Sequence, residues 1–131
     1  MTSPALGRST PVPVLVLGDV LLVTLQGELH DATAEQLRHD IAARIAGSTA
    51  ADVVIDISGV DIVDSFLGRV LAEIASTSRL LAARTVVAGM RPAVAITLVE
   101  LGLDLPGLVT ALDVDRAMDL LRSATPAEGG T

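Results

Sequence analysis

The chain has no cysteine, tryptophan, tyrosine or lysine among its 131 residues, and a single phenylalanine, Phe66. All nine basic residues are therefore arginines, set against sixteen Asp and Glu for a formal charge of −7. Each absence removes a class of chemistry. Without lysine there is no phosphate-binding P-loop, no Schiff-base nucleophile and no kinase-type ATP lysine, because each needs an ammonium at one place. Without cysteine there is no disulfide frame, iron–sulfur site, thiolate nucleophile or Cys-based zinc site. An acidic chain with no basic cluster repels phosphate backbones, and one Phe makes no stacking platform for bases, so nucleic acid is not an expected ligand.

Long apolar runs are missing too. Mean hydropathy is high, +0.61, yet the longest uncharged stretch is the ten residues Ser9 to Gly18, which contain Pro11 and Pro13. A spanning helix needs about 20 apolar residues, so no membrane segment is expected. The first ten residues, MTSPALGRST, lack the apolar stretch of a secretory signal, which makes a cytoplasmic location the expectation.

What is present is a core. Half of the residues are apolar, which argues against disorder, and a chain of this length forms one domain that buries roughly two thirds of the surface its unfolded form exposes. Residues 1–10 and 123–131 read as short flexible tails around a domain over 11–122. Val12–Leu17 and Val20–Leu25 are β-branched and Leu-rich runs separated by Gly18-Asp19, which predicts an antiparallel hairpin. Thr33-Ala-Glu-Gln36 fits a capping box; Leu37, Ile41 and Ile45 follow at i+4 spacing, and Gly47 offers a stop.

Val53–Ile57 is a short apolar run suited to the centre of a sheet. From Phe66 onward, Leu67, Val70, Leu71 and Ile74 form a helical stripe. Thr85–Ala88 reads as another strand, and Pro92 opens a helix to about Leu101 with Gly102 as its stop. Leu108–Ala111 suits an edge strand. Val114, Ala117, Met118 and Leu121 form the stripe of a last helix capped near Asp113, expected to pack loosely. The order ββαβαβαβα predicts an α/β domain with a mostly parallel central sheet and an antiparallel opening hairpin.

One segment carries an unusual density of polar groups: Asp56-Ile-Ser-Gly-Val-Asp-Ile-Val-Asp-Ser65-Phe66. It follows the predicted central strand and opens a helix, so Asp56, Ser58, Asp61, Asp64 and Ser65 gather near the carboxyl end of the sheet, where sites of open α/β folds concentrate. Four readings compete. Asp64 or Ser65 is simply a helix N-cap and Asp61 a turn residue. The carboxylates hold Mg²⁺ and one becomes phosphorylated, although the lysine such a site uses is absent. Ser65 is a hydrolase nucleophile, although it lacks a Gly-x-Ser-x-Gly elbow and His30 and His39 lie in another segment. Or Ser65 is an acceptor for another protein's kinase, gaining about −1.5 to −2 charge on phosphorylation beside Asp61 and Asp64.

Three blocks, VVIDISGVDIVDSFLGRVL, VVAGMRPAVAITLVELGLDL and TALDVDRAMDLL, resemble the STAS-domain anti-sigma-factor antagonists, specifically the RsbS-type subunit of the bacterial stressosome; GELHDATAEQL resembles the segment after the second strand in the wider family. The similarity runs from about Val12 to Leu121. It implies the STAS fold, with helices packed mainly on one face, and a protein that is not an enzyme and needs no cofactor or metal. It further implies assembly with larger STAS-containing paralogues into a scaffold, as a homo-oligomer (dimer) or large hetero-assembly. That scaffold holds an RsbT-type serine/threonine kinase, which phosphorylates the serine of the Asp-Ser-Phe motif and leaves; a serine phosphatase resets the switch.

On this chain the acceptor is Ser65, with Asp56, Ser58, Asp61, Asp64 and Phe66 shaping its loop. Larger paralogues carry a second acceptor threonine before a glycine; here the block reads Ala88-Gly89-Met90, so that acceptor is missing and Thr85 reads as a strand residue. Gly89, Met90 and Arg91 are candidate partner contacts, Arg91 otherwise being a solvated helix-start residue. Glu28 reads as a strand-end residue. His30 and His39 read as surface or cap residues, since a loop and a helix position nine apart make no chelating pair. Asp56 is costly to bury unpaired and is expected to accept backbone or hydroxyl bonds. The alternative function within this family is a regulatory domain that binds a nucleotide or other small ligand.

Overall fold

The computed structural model describes residues 12–27, 29–48, 50–60, 64–102 and 108–123. The expected tails, Glu28 and Asp61 lie outside them, save Ser123 at the end of the last helix, where its hydroxyl donates to the Leu120 carbonyl. Five strands form one sheet in the order β1-β2-β3-β4-β5: β1 (Val14–Leu17), β2 (Val20–Gln26), β3 (Asp52–Gly59), β4 (Arg84–Ala88) and β5 (Val109–Ala111). β1 and β2 pair antiparallel around Gly18, which takes φ +63°, and all later pairs are parallel. β1 begins two residues later than the apolar run, since Pro13 has no N–H to give to a ladder; its carbonyl still accepts from Thr24 N.

Strand alternation splits the core in two. Leu21, Val23, Val53, Ile55, Ile57 and Val87 point to one face, where α1 (Asp31–Gly47), α2 (Ser65–Leu80) and α3 (Pro92–Glu100) cover them. Right-handed crossovers between neighbouring parallel strands put those three helices on the same side. Val20, Val54, Val86 and Ala88 point the other way, against α4 (Val114–Ser123).

Two expectations change. The capping box at Thr33–Gln36 is not formed: α1 begins at Asp31 with His30 in the cap position and no side-chain cap, and the first helical bond runs from Ala34 N to the His30 carbonyl. Thr33 and Gln36 are thus inside the helix, where Gln36 donates to Asp40 instead. The last helix is not loosely held. Ala117 and Leu121 are buried on the second face, Asp113 Oδ1 caps α4 by accepting Arg116 N at 2.8 Å, and the Leu121 carbonyl accepts from Arg84.

Candidate functional site around Ser65

β3 lies at the middle of the sheet, and its carboxyl end aims the chain at the start of α2. The strand is buried up to Ile57 except at Asp56, and its last residues, Ser58 and Gly59, are exposed before Val60. Asp56, half-buried, accepts the Ser58 backbone N–H on Oδ1 at 3.0 Å, an Asx-type bond that meets the expectation of a partner for its carboxylate. Val60 N closes back onto the Ile57 carbonyl at 3.0 Å, and the buried Val60 side chain anchors the turn.

α2 opens at Ser65. Asp64 holds extended backbone angles and its Oδ1 accepts the Leu67 N–H at 3.0 Å, so Asp64 is the N-cap and Ser65 the first helical residue. Ser65 is exposed, as is Asp64, while Phe66 is half-buried against the main core. The hydroxyl is therefore presented to solvent between a capping carboxylate and a ring that fixes the first turn. Of the residues singled out by sequence, the structure places Asp56 and Ser58 near the carboxyl end of β3 and Asp64, Ser65 and Phe66 at the start of α2.

The neighbouring strand end completes the frame. Gly89 follows β4 with φ +77°, and a Cβ there would lie 3.1 Å from Asp56 Oδ1 and 3.1 Å from Ser58 N. Met90 is half-buried on the main core. Arg91, the N-cap of α3, sends Nη2 to the Val60 carbonyl, so it ties the α3 start to the loop leading to Ser65. His30 and His39 are both exposed, and among the described residues no three metal-binding side chains converge. No helix of the described residues is long and apolar enough to cross a membrane.

Thr85 is in β4 and 5% exposed, at the opposite end of the strand from Gly89. Beside it Arg84 grips Asp52 with two prongs, Nε to Oδ1 at 2.8 Å and Nη2 to Oδ2 at 2.9 Å. The hydrogen bond to Asp52 holds the guanidinium above its ordinary pKa. This pair fixes strand starts and not the site. One exposed residue near Ser65 carries no mark in the composition: Arg69, one helical turn on. Its i, i+4 spacing from Ser65 is visible in the sequence, but only the helix start at Ser65 makes the spacing meaningful.

Residues 12–117 match the STAS domain family. The chain belongs to that family. Among solved structures, this STAS domain is similar to a serine-to-glutamate variant of RsbS from Moorella thermoacetica: 39% identity, a TM-score of 0.76, and coverage of 87% of this chain and 97% of that one. It is equally similar to a chain of the stressosome, a signal integration and transduction hub, at 41% identity and TM-score 0.76 over 85% of this chain and 96% of the other. Among curated proteins it is 27% identical over 107 residues to the RsbT co-antagonist protein RsbRD of Bacillus subtilis, covering 81% of this chain. The chain spans only 38% of the length of that relative.

Proposed function

We propose that this STAS domain is a non-enzymatic, phosphorylation-controlled binding module of a cytoplasmic stressosome-type scaffold. It binds and sequesters an RsbT-type serine/threonine kinase and releases it once that kinase has phosphorylated Ser65. The observation that carries the reading is the exposed Ser65 hydroxyl at the first position of a capped helix, in a chain 39% identical to an RsbS variant over 87% of its length. In the transfer, Ser65 Oγ attacks the γ-phosphorus of ATP held by the kinase, its proton passes to a base of the kinase, and ADP leaves.

Asp56, Ser58, Asp61, Asp64 and Phe66 shape the loop that the kinase must accommodate, and Gly89, Met90 and Arg91, just beyond β4, are partner contacts. The added phosphate places about −1.5 to −2 charge beside the capping Asp64, so a partner surface seated there meets new repulsion and a desolvation cost. Release follows from that charge without any refolding of the domain. Larger STAS-containing paralogues are the co-assembly partners, and a serine phosphatase restores the hydroxyl.

Incubation with the cognate kinase and radiolabelled ATP tests the assignment. Label is expected in the native chain and absent from Ser65→Ala; full labelling of Ser65→Ala would overturn it. Thermal shift against nucleotides separates the alternative: a ligand that binds the native fold alone raises its melting temperature.

A further inference from the structure

Arg69 stands apart among the arginines. Every other arginine of the described residues has a bonding or electrostatic partner, whereas Arg69 is exposed and has none among the described residues. The acid that would suit it on the next turn of α2 is Glu73, but Glu73 lies 3.5 Å from Arg38 of α1. A cation left uncommitted one turn from a modifiable hydroxyl is well placed for a group that is not yet there.

Geometry favours that use. Ser65 is the first residue of α2 and Arg69 the fifth, so their Cβ atoms lie on the same face, about 5–6 Å apart. Helical Cα–Cβ bonds tilt toward the N-terminus, which leans the Arg69 side chain back over Ser65. The order is also the favourable one, with the acidic member N-terminal to the basic one. A phosphoryl group offers three acceptor oxygens, matching the planar fork of five guanidinium donors in a way an ammonium does not.

We propose that Arg69 is the phosphate-reading residue of this switch: once Ser65 is phosphorylated, the Arg69 guanidinium closes onto the phosphoryl oxygens and holds the group against α2. The clamp offsets the repulsion from the capping Asp64 carboxylate. It also withdraws the cation from the exposed face, so phosphorylation changes two positions together, adding an anion at 65 and neutralising a cation at 69. The consequence for kinase release rests on the function proposed above; the clamp itself does not.

The test therefore avoids the kinase, by inserting phosphoserine at position 65 during translation. Phosphorus NMR then follows the second ionisation of the phosphate in this chain and in its Arg69→Ala and Arg69→Lys forms. A guanidinium on the dianion is expected to lower proton affinity about threefold relative to Arg69→Ala, with Arg69→Lys between them. Identical titrations in the native and Arg69→Ala phosphoproteins overturn the clamp, even if a kinase labels Ser65 normally. Absence of kinase labelling beside an Arg69-dependent titration overturns the proposed function and leaves the clamp standing. Identical titrations combined with weaker binding of the kinase to unphosphorylated Arg69→Ala make Arg69 a docking contact instead, and overturn the clamp.

Discussion

Gly89 and Ser58 approach so closely that a Cβ on Gly89 would lie 2.8 Å from the Ser58 Cβ. The contact joins the residue after β4 to the end of β3, and it exists because Gly89 adopts φ +77° with no side chain to refuse it. The path from Asp56 to Val60 is thus braced from the side by the Gly89 backbone, while Arg91 braces its far end through the Val60 carbonyl.

Gly89→Ala is accordingly expected to destabilise the domain by about 2 kcal/mol or more, from left-handed strain plus the clash with Ser58. Chemical denaturation measures this, and the same variant is expected to be a poorer kinase substrate at Ser65. A stability within 0.5 kcal/mol of the native chain would show that the turn yields easily and braces nothing.

Removing the α2 cap should have a smaller effect. Asp64→Ala loses the bond to Leu67 N and is expected to cost about 1 kcal/mol, whereas Asp64→Ser, which keeps an acceptor, costs only a few tenths. Thermal melting of the two variants side by side reads the difference.

At the other end of α2 the chain carries an avoidable strain. Ala83 N donates to the Ser78 carbonyl at 2.8 Å and Ala82 N to the Arg79 carbonyl at 2.9 Å, the pairing of a Schellman motif. The residue in the left-handed position of that motif is Ala82, φ +63°, the one non-glycine with positive φ among the described residues. Ala82→Gly is expected to stabilise by about 0.5–1 kcal/mol despite the greater freedom of its unfolded chain. A melting temperature that falls would count against this geometry.

The Arg84–Asp52 pair gives a pH prediction. Raising the guanidinium pKa in the fold means that its contribution to stability is complete below the unfolded pKa and fades only as pH rises through the folded one. Both lie far above neutral, so the contribution is constant from pH 6 to 9. Arg84→Met, which leaves the buried Asp52 carboxylate without its partner, is expected to cost about 2 kcal/mol. Part of that is offset by water reaching the half-exposed site. Urea titrations of the variant at pH 7 and 9 check whether its deficit, relative to the native chain, stays the same.

Much of the fold was legible because periodicity and punctuation agreed. Gly18-Asp19 between two apolar runs, the Leu67–Ile74 stripe and Pro92 at a helix start each stand where the sequence placed them. The start of α1 was not, since Thr33 and Gln36 satisfy a capping pattern that tertiary packing of Ala34 and Leu37 overrides from one turn earlier. The close packing of α4 was hidden for another reason: Ala117 is too small to look like an anchor, and only its place against Val54, Val86 and Ala88 on the second face makes its size an advantage. At the site, residue types marked Asp56, Asp64 and Ser65, but the supports from Gly89 and Arg91 join segments about thirty residues apart, which no local pattern reveals.

The central claim is that phosphate on Ser65 releases the kinase. The direct measurement is calorimetric affinity of the cognate kinase for this domain with serine and with phosphoserine at position 65, at matched ionic strength. The account predicts binding at least tenfold weaker for the phosphoserine form with an unchanged melting temperature. Equal or tighter binding of the phosphorylated domain would contradict it.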